Sequence, residues 1–257
     1  PAGGERTPVA ILLHPHPQHG GTMHNKVVYT LNQAFARAGF STLRFNFRGV
    51  GRSQGSYGRG EGELQDAASA LDWVQQNLPN SRACWIAGFS FGAWIGMQLL
   101  MRRPEIDRFV AVAPPANIFD FSFLAPCPSS GLIVSGDKDE IVPEESVAKL
   151  SEKLAKQKDI VVDFKTIKGA NHFFAERLDK LEALVGDYAL SAVPSMRPAT
   201  APPPAAPPPP APAPERKPPT VSLPPDAPSR AEAKKAAKTK AKPAPAPKKP
   251  AAKKAKR

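Results

Sequence analysis

Cysteine is nearly absent from this chain of 257 residues, which contains only Cys84 and Cys127. Two thiols are too few for the disulfide framework of a small secreted domain, so we expect two buried free thiols in a reducing, cytoplasmic compartment. No run of about 18 apolar residues occurs either, and we expect no membrane span. No signal-peptide pattern is visible, although the chain opens at Pro1 without a methionine, which leaves open whether the sequence is a fragment.

Residues 194–257 lack aromatic side chains and contain only three acidic residues, against 20 of the 31 prolines and 15 Lys or Arg. Such a segment cannot bury enough apolar surface to offset its ordering entropy, so we expect a disordered tail. Its proline-rich first part favours extended conformations. Its last part, residues 234–257, resembles the lysine-rich tails of DNA-compacting proteins. Non-specific contact with nucleic acid or another polyanion and a purely solubilising role both fit this composition.

The net charge of +12 arises wholly from that tail, because residues 1–193 contain 20 Lys or Arg and 20 Asp or Glu. The neutral part therefore gives no reason to expect a nucleic-acid-binding fold. Its length suffices for one domain with a sizeable core. We expect a folded domain at residues 1–193, followed by the tail at 194–257.

Short apolar runs alternate with helical patterns through this domain. Strands are predicted at residues 9–13, 41–47, 83–87, 109–113, 132–135 and 161–167, and helices at 26–37, 64–78, 93–101, 144–156 and from Leu178 onward. This alternation predicts an α/β fold, with a mostly parallel central sheet and helices on both faces. Ligands of such sheets bind beyond the carboxyl ends of the strands.

Ser90 lies in the pentapeptide GFSFG, directly between a predicted strand and a predicted helix. A G-x-S-x-G segment in that context forms a sharp turn that exposes the serine hydroxyl. Polar residues also follow three other strands: HPHPQHGG after the first, GDKD after residues 132–135, and GANH after the last. A serine, two carboxylates (Asp137 and Asp139) and His172 thus fall at one edge of the sheet. Acyl transfer requires this set of groups.

These features resemble the α/β-hydrolase superfamily, in which the serine, the acid and the histidine follow that same order. The chain looks most similar to small lid-free bacterial hydrolases related to dienelactone hydrolase. The resemblance covers roughly residues 9–190 and rests on four stretches: HPHPQHGGTMHN, FNFRGVGRSQG, GFSFG, and GDKDEIVP with GANHFF. It implies an esterase-type reaction through an acyl-enzyme intermediate.

The interval between the strands at 109–113 and 132–135 is about eighteen residues, which is too short for the cap domain of other family branches. We therefore expect a hydrolase fold with no cap. The family usually has one or two antiparallel strands before the strand at 9–13, whereas only eight residues precede it here. Either this edge of the sheet is missing or the sequence is a fragment.

The resemblance implies a role for each residue of the set. Ser90 is the nucleophile, and His172 is the base that takes and returns its proton. The family pattern G-x-x-D-x-x-V-P favours Asp139 over Asp137 as the carboxylate that orients His172. Asp137 would then bond to loop backbone, which is a common role for aspartate in turns.

Two backbone amides are expected to hold the oxyanion. One is the amide of Phe91, immediately after the nucleophile. The other is the amide of His16, because the prolines on either side of it have no N–H to donate. Its position two residues beyond His14 agrees with the H-G-x arrangement of the family.

Four of the five histidines crowd the segment after residues 9–13, at positions 14, 16, 19 and 24. Their spacing matches no common zinc pattern, and no cysteine or carboxylate joins them there, so we expect neither a metal nor another cofactor. We expect His14 to order the loop by hydrogen bonding. The candidate substrate-lining residues are His19, Phe119, Phe121 and Phe123. For the three phenylalanines, a position that simply covers the sheet fits the sequence equally well.

Two hypotheses follow for the whole protein. The leading one is a cytoplasmic serine hydrolase that acts on a small-molecule carboxylic ester, with thioesters and lactones as related substrates. The alternative is a non-catalytic hydrolase-fold module that its basic tail tethers to DNA or another polyanion.

Overall fold

Six parallel strands form one sheet in the structure, a computed structural model that describes residues 7–193. The strands are β1 Val9–Leu13, β2 Ser41–Arg44, β3 Cys84–Phe89, β4 Arg108–Val112, β5 Gly131–Gly136 and β6 Val162–Ile167. Their order across the sheet is β2-β1-β3-β4-β5-β6, and every neighbouring pair is parallel. The predicted parallel sheet is thereby confirmed. The tail expected at residues 194–257 lies outside the described residues.

Helices cover both faces of this sheet. Within residues 7–193 the α-helices are α1 Lys26–Arg37, α2 Glu61–Asn77, α3 Phe91–Leu100, α4 Glu144–Ala155 and α5 Leu178–Ala192. Helices α1 and α5 share one face, and α2, α3 and α4 share the other. The connection from β4 to β5 contains only the short 3-10 helix Ser122–Leu124. As expected, this connection carries no cap domain.

Strand β1 shows why the sheet needs helices on both sides. Every residue of β1 is buried. Its alternate side chains Val9, Ile11 and Leu13 pack into the core with α2, α3 and α4. Ala10 and Leu12 pack into the core with α1 and α5. Because successive strand side chains point to opposite faces, a strand covered on both sides must be apolar throughout.

Strand β2 ends at Arg44, three residues before the predicted end at Phe47. The reason is a polar contact that the apolar pattern of residues 41–47 does not reveal. The amide of Phe47 donates to Nε2 of His14 at 3.0 Å, so it bonds to a side chain near the end of β1. The chain therefore leaves the sheet early and turns toward the carboxyl edge.

Helix α2 begins at Glu61, three residues before the predicted start at Leu64. Its first turn is closed by Glu63, whose carboxylate accepts hydrogen bonds from the amides of Gly58 and Gly60, both at 2.8 Å. Glu63 is fully buried. Backbone N–H groups at the start of a helix need such acceptors. A polar acceptor is not part of the apolar repeat, so the repeat alone does not predict where the helix begins.

The two cysteines are buried and unpaired. Burial is the main cause that raises the pKa of the Cys84 thiol, to about 12, and it also raises the pKa of Cys127. Both thiols therefore stay protonated and behave as small apolar side chains.

No helix within residues 7–193 has the length and apolar character that crossing a membrane requires.

Replacing Leu12 by alanine is predicted to lower the free energy of unfolding by about 3–5 kcal/mol, because Leu12 is completely buried between the sheet and the helices α1 and α5. The matched control is Leu190→Ala on α5, where the side chain is 58% exposed. That change is expected to stay within about 0.5 kcal/mol. Urea unfolding of the full chain measures both, and equal effects of the two variants would contradict the assigned core.

Candidate active site

Ser90 occupies a strained turn between β3 and α3. Its backbone has φ 53° and ψ −119°, a conformation that residues with a side chain rarely adopt. A Cβ on Gly88 would lie 2.3 Å from the carbonyl carbon of Gly92, and a Cβ on Gly92 would lie 2.4 Å from the carbonyl oxygen of Leu13. Both glycines are therefore required by close backbone contacts. The amide of Ser90 donates to the carbonyl of Val112 at 2.8 Å, which attaches the turn to the end of β4.

The structure brings Ser90, His172 and Asp139 together in one hydrogen-bonded row. Oγ of Ser90 lies 3.2 Å from Nε2 of His172, and Nδ1 of His172 lies 2.8 Å from Oδ2 of Asp139. Because the carboxylate can only accept, Nδ1 carries the proton and Nε2 is left to accept one from the serine. His172 and Asp139 are 6% and 8% exposed, whereas Ser90 is half-buried.

Asp139, rather than Asp137, contacts His172. Its other oxygen, Oδ1, accepts the amides of Ile141 at 2.9 Å and Val142 at 2.7 Å. These bonds fix the orientation of the carboxylate. Asp137 instead accepts the amide of Gly169, in the loop that leads to His172.

The loops that carry Asp139 and His172 interlock directly. The amide of Lys138 donates to the carbonyl of Ala170 at 2.9 Å. A Cβ on Gly136 would lie 2.3 Å from that same carbonyl oxygen, so only glycine permits the approach. Strands β5 and β6 also end in register, with Gly136 paired to Ile167. The His172–Asp139 contact follows from this backbone arrangement.

The two residues whose amides are expected to bind an oxyanion, Phe91 and His16, contact each other. Phe91 is the first residue of α3, and its ring centroid is 4.8 Å from that of His16. Neither the Phe91 nor the His16 amide donates a hydrogen bond to any other residue in the 7–193 range. The carbonyl of His16 accepts the amides of His19 and Gly21, which holds this loop in a compact form. A free amide at a helix N-terminus suits a developing negative charge.

His14 is buried beneath this loop and is neutral. Burial is the main cause that lowers its pKa from 6.5 to about 4. Because Nε2 accepts the amide of Phe47, Nδ1 carries the proton and donates to the carbonyl of Pro15 at 2.7 Å. His14 thus joins the loop after β1 to the segment after β2, as its expected ordering role requires.

The other histidines of this segment do not gather around a common point. His19 is exposed, and its ring contacts that of His16 edge to face at 4.6 Å. His24 is also exposed. In the part of the chain that the structure describes, no three His, Cys, Asp or Glu side chains are grouped in a way that suits a metal ion.

The three phenylalanines expected to line the substrate site separate into two places. Phe119 lies near the serine, with its ring 5.9 Å from that of Phe91. Phe121 and Phe123 stack on each other at 5.9 Å. Phe121 lines a groove against α4, together with Leu150 and Leu154. No ring contact among residues 7–193 joins Phe121 or Phe123 to the rings beside Ser90.

Two aromatic residues beside the site escaped the sequence analysis. Trp94 contacts Phe91 at 5.7 Å and stacks on Phe119 at 4.3 Å. Its position three residues after Phe91 on one helix was a usable signal, because such residues share a face. Tyr57 contacts His16 at 4.8 Å. It lies far from His16 in sequence, in an irregular loop, and no local pattern indicated it.

A parallel sheet that carries a serine turn and a histidine–carboxylate pair at its carboxyl edge defines the α/β-hydrolase class of fold. Comparison with known families agrees, because the sequence model of the alpha/beta hydrolase fold matches residues 18–131. A particular kinship with dienelactone hydrolase stays a prediction.

Three relatives extend this match over most of the domain. An uncharacterized protein from Rickettsia prowazekii is 49% identical over 194 residues, which are 74% of this chain and 82% of the relative. A structure from Agrobacterium tumefaciens, of a protein of unknown function given as a candidate alpha/beta hydrolase, is 58% identical with a TM-score of 0.72. It covers 76% of this chain and 89% of its own.

A third relative is a structure from Xanthomonas campestris, described as an α/β serine hydrolase without a lid. It is 34% identical with a TM-score of 0.67, and covers 78% of this chain and 87% of its own. The chain therefore belongs to the alpha/beta hydrolase family.

Acid is predicted to destabilise the protein through His14. In the unfolded chain this imidazole takes up a proton near pH 6.5, whereas in the folded protein it does so only near pH 4. Between these values the unfolded state binds more protons, so the free energy of unfolding falls as the pH falls, by up to about 3 kcal/mol.

Chemical denaturation at a series of pH values measures this effect. His14→Gln is expected to flatten the slope between pH 6.5 and pH 4, whereas His24→Gln, which changes an exposed histidine, keeps it. If His14→Gln retained the full slope, the neutral state of the buried ring would not be its cause.

Proposed function

We propose that this protein is a serine hydrolase that cleaves small carboxylic esters through an acyl-enzyme intermediate on Ser90. The observation that carries the proposal is the continuous row from Asp139 through His172 to the Ser90 hydroxyl, with distances of 2.8 and 3.2 Å. A serine hydroxyl is nearly inert unless a positioned base removes its proton. Here the base is held in the required tautomer by a buried carboxylate.

In the first half-reaction, Nε2 of His172 accepts the proton of Ser90 as Oγ forms a bond to the ester carbonyl carbon. Asp139 stabilises the imidazolium through the Nδ1–H bond. The amides of Phe91 and His16 donate to the negative oxygen of the tetrahedral intermediate. When the intermediate collapses, the bond to the alcohol oxygen breaks. That oxygen takes the proton from His172, and the acyl group stays on Ser90.

In the second half-reaction, water replaces the alcohol beside His172. The imidazole accepts a proton from this water, whose oxygen forms a bond to the acyl carbon. Collapse of the second tetrahedral intermediate breaks the bond to Oγ, and His172 returns the proton to Ser90. The free acid leaves and the starting state is restored. Thioesters and lactones contain the same reacting carbonyl and are substrates of the same scheme.

Labelling with a fluorophosphonate probe tests the nucleophile. We expect the full-length protein to be labelled and Ser90→Ala to remain unlabelled, because the probe reacts with an activated serine. The control is Ser69→Ala, which removes an exposed serine on α2 and should leave labelling unchanged. A well-folded wild-type protein that resists the probe would sink the proposal and favour a non-catalytic module.

Asp139→Asn is expected to lower kcat for p-nitrophenyl acetate by about 10⁴-fold, because an amide cannot hold His172 in the tautomer that Ser90 needs. The matched change is Asp137→Asn. It conserves the oxygen that accepts the Gly169 amide and should leave kcat nearly unchanged. Steady-state kinetics of the two variants decides between the carboxylates, and a greater loss in Asp137→Asn would refute the assignment.

A further inference from the structure

A continuous group of aromatic rings adjoins the nucleophile on the side of Phe91. The Phe91 ring contacts Tyr57 at 6.1 Å, Trp94 at 5.7 Å and Phe119 at 5.9 Å. Trp94 and Phe119 stack at 4.3 Å with their planes 21° apart. Phe91 is buried, whereas Tyr57, Trp94 and Phe119 are each only partly buried. We call these three partly exposed side chains the ring surface.

The ring surface is held in place by contacts that have no part in the proposed proton transfers. Nε1 of Trp94 donates to the carbonyl of Asp120 at 3.1 Å. A Cβ on Gly60 would lie 2.5 Å from the Trp94 ring, so the backbone of Gly60 packs directly against the indole. The Gly60 amide is in turn bound by the buried carboxylate of Glu63. The same carboxylate accepts the amide of Gly58, the residue next to Tyr57. Glu63 therefore anchors the loop that contains both Tyr57 and Gly60.

The side chains of the ring surface are themselves uncharged, although the carboxylate of Glu63 and the guanidinium of Arg59 both act on Tyr57. Burial raises the pKa of Tyr57, and the negative charge of Glu63 acts in the same direction, so the phenol stays protonated. Burial is the main cause that lowers the pKa of the neighbouring His16, which favours its neutral imidazole. A preformed, neutral aromatic surface suits an apolar planar group better than it suits an ion.

The direction of the reaction decides which part of the substrate meets this surface. The alcohol oxygen must receive its proton from Nε2 of His172, so the alcohol departs on the side of that histidine. The carbonyl oxygen points to the amides of Phe91 and His16. The acyl carbon stays bonded to Oγ of Ser90, next to Phe91, so the acyl group is the part of the substrate that can reach the rings continuing from Phe91.

We propose that the ring surface of Tyr57, Trp94 and Phe119 binds an aromatic ring in the acyl part of the substrate. The proposal rests on the hydrolase function and narrows it to esters of aryl-bearing acids. Rings prefer edge-to-face and offset-stacked contacts with other rings, and these contacts add to the effect of burial alone. A saturated ring of equal size gains the burial but not this addition.

The test compares two p-nitrophenyl esters, one of 3-phenylpropanoic acid and one of 3-cyclohexylpropanoic acid. Both have the same leaving group and the same distance between ring and carbonyl, so their intrinsic reactivity is matched. We expect kcat/KM to be roughly 2- to 10-fold higher for the phenyl ester. Equal values for the two esters would overturn the proposal.

Two variants assign this preference to the ring surface. Trp94→Leu and, independently, Phe119→Leu should bring the phenyl-to-cyclohexyl ratio close to one. The matched control is Trp73→Leu on α2, where a 51% exposed tryptophan lies outside the ring surface. The control should keep the wild-type ratio. A ratio that survives in both Trp94→Leu and Phe119→Leu, or that is lost in the control, would refute the assignment.

A binding measurement separates this proposal from the catalytic one. Calorimetry on Ser90→Ala with 3-phenylpropanamide and 3-cyclohexylpropanamide should show tighter binding of the phenyl compound by a similar factor. If this preference held while no ester were hydrolysed by wild-type protein, the aromatic site would stand and the hydrolase function would fall. If esters were hydrolysed while the two amides bound equally or not at all, the aromatic site would fall alone.

Discussion

The arrangement around Ser90 depends on two close backbone contacts, at Gly88 and at Gly92, that leave no room for a side chain. A Cβ on Gly88 would overlap the main chain of Gly92, and a Cβ on Gly92 would overlap the carbonyls of Leu13 and His14. Ser90 lies between these glycines with a positive φ, and the close approach of Gly92 to Leu13 and His14 places the start of α3 beside the loop after β1. Ser90, the N-terminus of α3 and the loop of His16 therefore meet around these two glycine contacts.

Buried polar side chains keep the surrounding loops in register with that turn. His14, Glu63 and Asp139 are all buried, and each accepts at least one backbone amide from a loop at the carboxyl edge of the sheet. A buried acceptor that lost its donor would carry an unrecovered desolvation cost, so side chain and loop stabilise each other. These contacts order the loops at the carboxyl edge of the sheet, over which the β4–β5 connection places no cap domain.

The short connection from β4 to β5 supplies one side chain beside the serine turn and another to the core. Phe119, from this connection, stacks on Trp94 of α3, so the two elements build one wall next to the serine. Further along the same connection, a 3-10 turn directs Phe121 into a groove beside α4. One segment of chain therefore serves both the site and the core, and residues two positions apart differ in role.

Local sequence determined the order of strands and helices, because strands buried on both faces must be apolar and helices must repeat their apolar residues with helical spacing. It also determined the serine turn, because both glycines that the turn requires lie within the five residues GFSFG. The family pattern favoured Asp139 over Asp137, but the contact of Asp139 with His172 was decided by the tertiary structure, which alone also decided that Tyr57 adjoins His16 and Phe91. Those choices depend on which loops lie side by side once the sheet has formed, and contacts between residues distant in sequence leave no local periodicity to read.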